Sequence, residues 1–124
     1  MSAMEIGTKL VQLCNDGKPD EAMNTLYSDN IVSIEAQGSD EMPARMEGID
    51  AIRGKAQWWY DNHTIHKSTA LGPFVGGREN QFAVQFEMDL TTKATGERGQ
   101  MKEIGIYTVE DGKVVEEEFW YLMG

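Results

Sequence analysis

Between Gln81 and Thr91 the chain alternates, with Phe82, Val84, Phe86, Met88 and Leu90 set against Ala83, Gln85, Glu87 and Asp89. A period of two marks a strand that lays one face on a core. A strand over Ile65 to Val75 precedes it, joined through the turn Gly76-Gly77-Arg78-Glu79-Asn80. Earlier in the chain the period is helical. Ile6, Leu10, Leu13 and Cys14 share one side of a helix from Met4 to Asp16, with Val11 beside them and Gly17 as its stop. Pro19 suits the first turn of a second short helix, where Asp20 and Glu21 favour the positive end and Ala22, Met23, Leu26 and Tyr27 continue it. Ser28-Asp29-Asn30 closes that helix.

Ile31 to Ala36 reads as a short strand, with Val32, Ile34 and Ala36 on one face and Ser33 and Glu35 on the other. Gln37 to Glu47 is polar, contains Pro43 and has no period, so a loop at one rim is expected. Gly48 to Asn62 is a longer helix that aligns Ile49, Ile52, Ala56 and Trp59, flanked by Trp58 and Tyr60. Thr92 to Arg98 is a polar turn. The order is helix, helix, strand, helix and then antiparallel strands, which makes an α+β domain with its helices across the concave side of a curled sheet.

The last strands form a hairpin within Gly99 to Leu122, and its turn leaves two registers open. A two-residue turn at Asp111-Gly112 places Glu103, Gly105 and Tyr107 on a face with Glu116, Glu118 and Trp120. A three-residue loop through Glu110-Asp111-Gly112, with Gly112 in a bulge, places them instead with Val115, Glu117, Phe119 and Tyr121. One residue of slip exchanges every side chain's face.

A chain of 124 residues, 40% apolar, predicts a single domain over 1–124. The absence of a long apolar run and of a basic-then-apolar N-terminus predicts neither a membrane helix nor a signal peptide. Cys14 is the only cysteine, which excludes an internal disulfide, fits a reducing cytoplasm and reads as a small buried helix residue. The net charge of −10 argues against nucleic-acid and anionic-membrane partners. His63 and His66 have the spacing of a helical metal pair, but a helix-to-strand transition falls between them, so no metal site is expected. The glycines lack the strand-glycine-helix setting of a phosphate cradle.

Three stretches, Leu26-Tyr27-Ser28-Asp29-Asn30-Ile31-Val32, Glu47-Gly48-Ile49-Asp50-Ala51-Ile52-Arg53 and Asp111-Gly112-Lys113-Val114-Val115-Glu116-Glu117, resemble the NTF2-like superfamily and most of all its SnoaL-like branch. The resemblance implies a cone: a strongly curved antiparallel or mixed sheet whose concave face is covered by three helices from the N-terminal half. It implies a pocket without a cofactor, but it does not choose among cyclases, isomerases, dehydratases, hydrolases and non-catalytic carriers. It also selects the three-residue loop, so that Glu103, Gly105, Tyr107, Glu117, Phe119 and Tyr121 face inward. Lys102, Ile104, Ile106, Val114, Glu116, Glu118 and Trp120 then face outward, and Ile104, Ile106 and Trp120 form an apolar patch expected to join two copies of the chain.

On this register Glu103 and Glu117 are the candidate acid-base pair, since two close carboxyls in an apolar pocket push each other's titration upward. Tyr107 and an inward-facing His66 would assist them. Trp58, Trp59, Phe86, Phe119 and Tyr121 are candidate ligand walls, and Glu35 joins them if a bulge or the curl near Ala36 turns it inward. The steroid-isomerase relatives carry their aspartate base at about Ala36 and a second acid near Gly105, so that mechanism is not expected. The function expected is acid-base chemistry on a small apolar or carbonyl-containing molecule by an isomerase, cyclase or hydrolase. The alternative is a non-catalytic ligand-binding or protein-interaction module on the same fold.

Overall fold

The computed structural model describes residues 2–38 and 42–121. Helix α1 (Ala3–Asn15) begins with a capping box in which Ser2 and Glu5 satisfy each other's backbone N–H groups. Helix α2 (Pro19–Leu26) follows, then strands β1 (Tyr27–Ile34) and β2 (Arg45–Glu47), helix α3 (Ile49–Asn62), and strands β3 (His63–Phe74), β4 (Gln81–Thr92), β5 (Arg98–Glu110) and β6 (Lys113–Tyr121). The six strands form one sheet in the order β2-β1-β6-β5-β4-β3. Only the β1–β6 pair is parallel. The result is a mixed, open sheet that curls under the three helices.

Helix α1 is pinned across the sheet by Asn15, whose side chain copies a peptide group. Its Nδ2 donates to the Ala70 carbonyl at 2.9 Å and its Oδ1 accepts from the Ala70 N–H at 2.7 Å. At Gly7 the helix comes so close to the sheet that a Cβ would stand 2.9 Å from the Phe82 ring. The core lies between α1, α2 and the inner sheet face, where Ile6, Leu10, Leu26, Ile31, Phe82, Val84 and Tyr107 are buried. The Phe82 and Tyr107 rings stack with centroids 5.0 Å apart.

Several local expectations are corrected. Tyr27 begins β1 instead of ending α2, and part of the expected rim loop forms the short strand β2. In β1 the face turned to the helices is that of Ile31 and Ser33, both fully buried, and Ala36 is exposed. Beyond a register break after Leu71 the end of β3 leaves the core, and Phe74 is exposed.

The hairpin combines features of both registers. Its turn is the tight one, because Glu110 pairs with Lys113 while Asp111 (φ 51°) and Gly112 (φ 76°) both take left-handed backbone as a type I′ turn requires. The extra residue is Val115, since Val109 pairs with Val114 but Thr108 pairs with Glu116. Val114 is therefore buried inside, contrary to expectation. From Glu116 onward the faces are those of the bulged register, and Tyr107, Gly105 and Glu103 stand opposite Glu117, Phe119 and Tyr121.

Candidate active site

Between the helices and the inner face of the sheet lies a cavity of about 800 Å³. Its walls bring together Glu35, Phe86, Glu103, Tyr107, Glu117, Phe119 and Tyr121 with Trp58 and Trp59 of α3. His66 is not among them. Ile65 pairs with Leu90 and Lys67 with Asp89, so His66 is the extra residue of a bulge and is turned out. It is exposed, with Nε2 2.7 Å from the Thr91 hydroxyl. The tryptophans differ in what they touch: Trp59 stacks on the His63 ring at 3.9 Å, whereas Trp58 meets that ring edge-on at 6.3 Å.

Lys55, from the middle of α3, organises the polar side of the cavity. Its Nζ donates to Glu35 Oε1 and to Ser33 Oγ, each at 2.6 Å. Ser33 Oγ donates to Glu117 Oε1 at 2.9 Å, and Tyr27 donates to Glu117 Oε2 at 2.7 Å. At the other end the Tyr121 hydroxyl donates to Glu35 Oε2. One chain of hydrogen bonds thus runs from Tyr121 through Glu35, Lys55, Ser33 and Glu117 to Tyr27. Nζ also lies 3.8 Å from Glu117 Oε1 and 5.1 Å from the centre of the Phe119 ring.

Sequence reading overlooked Lys55, Ser33 and the polar role of Tyr27. Lys55 was detectable, because it falls on the same side of α3 as Ile52, Ala56 and Trp59. A charged residue inside an apolar stripe is either paired or functional. Ser33 gave no comparable signal.

The three glutamates of the cavity wall occupy different environments. Glu117 is 3% exposed, and burial pushes its titration up against the pull of Lys55, Tyr27 and Ser33. Glu103 stands apart, since no hydrogen bond to its carboxyl forms among the described residues. Burial and the nearby Glu35 push its pKa up to about 7, with Lys55 acting the other way and Glu117 adding to the rise. Burial first, then the Glu117 charge, also raises the phenols of Tyr27 and Tyr107 well above their ordinary range, so both stay protonated. The site therefore holds one open carboxyl able to gain or lose a proton near neutrality.

Among the described residues no group of His, Cys, Asp and Glu side chains is placed to hold a metal ion, and no helix is long and apolar enough to cross a membrane. A family model described as a SnoaL-like domain matches residues 1–121. The chain is similar to a solved structure from Mesorhizobium loti, provisionally named a SnoaL-like polyketide cyclase with the words carbohydrate phosphatase added. The two are 41% identical over 98% of this chain and 100% of that one, with a TM-score of 0.90. A provisionally named isomerase from Bacillus subtilis is 19% identical over 97% of this chain and 86% of that one, with a TM-score of 0.76. For a provisionally named polyketide cyclase from Pseudomonas putida the figures are 14%, 99%, 93% and 0.73. At these last two identities the likeness shows the fold alone. Among curated proteins the sequence finds no match.

Proposed function

The chain belongs to the SnoaL-like domain family, and from that premise we propose that it is a cofactor-independent acid-base catalyst acting on a small, apolar, carbonyl-containing molecule. The observation that carries this reading is Glu103: a carboxyl in the cavity wall that the protein leaves without a hydrogen-bond partner among the described residues, while Glu35 and Glu117 are both engaged. Near neutral pH it is present in both protonation states, so it can take a proton from carbon beside a carbonyl and return it elsewhere. Isomerisation and intramolecular carbon–carbon cyclisation share that enolising step. The cyclase name of the similar Mesorhizobium loti structure fits it. Lys55 is the one cationic side chain in the cavity wall among the described residues. A phosphate ester fits poorly, because Glu35, Glu103 and Glu117 outnumber that single cation.

The test is a thermal-shift screen with apolar ketones, esters and epoxides, followed by proton exchange into heavy water for each compound that stabilises the fold. Glu103→Gln should remove exchange and turnover and leave folding intact. Binding without exchange would make the chain a carrier, and a flat screen across carbonyl compounds would overturn the reading. The same proposal includes a homodimer through the outer face of β5 and β6, where Ile104 stands opposite Trp120, itself 54% exposed.

A further inference from the structure

We propose that Lys55 is a positioning residue, the shared counter-ion that gathers Glu35 and Glu117 and ties α3 to the sheet around an open Glu103. The inference rests on the reading of Glu103 as the base. Its geometry stands independently of any substrate.

Lys55 reaches from α3 to partners on both parallel strands, since Ser33 belongs to β1, Glu35 follows it directly, and Glu117 and Phe119 belong to β6. Helix α3 needs such a tie, because Ile52 is its only buried residue and no side chain caps its start at Gly48. The same helix carries Trp58 and Trp59, so whatever fixes α3 also fixes that wall of the cavity.

The charge balance is equally specific. Three glutamates share the wall with one lysine, whose side chain is 17% exposed, while the other acid of the lining, Asp20, is exposed to solvent. Two carboxylates held by a single cation leave the third facing net negative charge, which favours its protonated form. The charged and titratable groups that act on Glu103 are Lys55 of α3, Glu35 at the end of β1, Glu117 and Tyr121 of β6, and Tyr107 of its own strand. Strands β3 and β4 present uncharged Ile65, Ser68, Phe86 and Met88 to the same space. Removing the Lys55 charge therefore strands three carboxyls together, and Glu103 holds its proton to higher pH.

The experiment follows the glutamate carboxyl resonances and the lysine Nζ resonances of the full chain across the pH range. In the Lys55→Met protein the Glu103 midpoint should rise by about one pH unit or more. Lys55→Arg should return it toward the wild-type value. In the unaltered protein, which raises no question of folding, the Lys55 Nζ signal should move with the same midpoint as the Glu103 carboxyl. A folded Lys55→Met protein with an unmoved Glu103 midpoint, or a wild-type Nζ signal indifferent to the Glu103 titration, would overturn the proposal. None of these readings uses turnover. If Glu103→Gln keeps its activity while the coupling is seen, the proposed reaction fails and the Lys55 assignment stands.

Discussion

Tyr107 stands directly opposite Glu117 across β5 and β6, although Val109, two residues further along, stands opposite Val114. The extra residue between those two rungs is Val115, and it decides which glutamate of Glu116-Glu117-Glu118 is buried. Strict alternation from Val114 would send Glu116, Glu118 and Trp120 inward.

Deleting Val115 should therefore be tolerated, because the shortened strand runs regularly from Val114 through Glu116 to an inward Glu117. Its expected loss is under about 2 kcal/mol in urea unfolding, within the usual range for a single change. Inserting an alanine between Glu116 and Glu117 should abolish cooperative unfolding, because it turns Glu117, Phe119 and Tyr121 to the outer face. The reverse ranking of the two variants would show that the bulge does not set the register.

Glu103→Gln should change the pH dependence of stability in a direction fixed by linkage. The folded pKa lies at about 7, above the ordinary 4.5, so between those values the folded chain holds a proton that the unfolded chain has released. This contribution is fully present below pH 4.5 and is lost as pH rises through 7, a difference of about 3 kcal/mol. Urea titrations should show Glu103→Gln matching the wild type at acid pH and exceeding it at pH 8. A variant weaker than wild type at pH 8 would make Glu103 a structural carboxylate.

The hydrogen bonds that hold Glu117 predict a non-additive pair. Tyr27→Phe and Ser33→Ala each remove a donor from a carboxyl that is 3% exposed. Each should destabilise by about 1–3 kcal/mol. Because both act on one group, the double variant should depart from the sum by more than about 0.5 kcal/mol. Strict additivity, measured by the same unfolding curves, would mean that the two donors act independently.

The order of elements and the curled sheet were legible because periodicity and helix punctuation are local signals, and residues such as Phe82, Val84 and Pro19 carry them openly. Glu103 and Tyr121 followed from the faces once the hairpin register was chosen, and Trp58 from its place on the third helix. What escaped was set by single extra residues. The bulge at His66 carries no glycine or proline to mark it, and it turns an expected inward histidine out to solvent. The bulge at Val115 was placed three positions early, at Gly112, with the same faces beyond it and the wrong face for Val114. In β1 the polar face of Ser33 and Glu35 faces the helices because Lys55 meets it there, a pairing that joins residues 20 and 22 positions apart.

The outer face of β5 and β6 yields a test of assembly. Trp120 is 54% exposed and its indole N–H donates to Glu118 Oε2 at 2.9 Å, which leaves the ring lying open on the sheet. Sedimentation should give a dimer for the wild-type protein and a monomer of unchanged melting temperature per chain for Trp120→Arg at equal concentration. A wild-type monomer at every concentration would remove this face as the joining surface.

Gly105 makes the last case, where the absence of a side chain shapes the cavity. A Cβ there would stand 2.8 Å from the Tyr107 ring and 3.1 Å from the Phe119 ring, so one added methyl must push both aromatics. Those rings meet edge to face at 6.3 Å, and Tyr107 is stacked on Phe82 behind it, leaving Phe119 as the one free to yield toward the cavity. Gly105→Ala should therefore destabilise by about 1–3 kcal/mol. It should also weaken the largest ligands found by thermal shift more than the smallest. Because Phe119 carries the Lys55 ammonium over its ring, the displacement should also move the Lys55 Nζ resonance, although Gly105 touches no charged group. Equal weakening of all ligands would show that Gly105 governs stability without shaping the cavity.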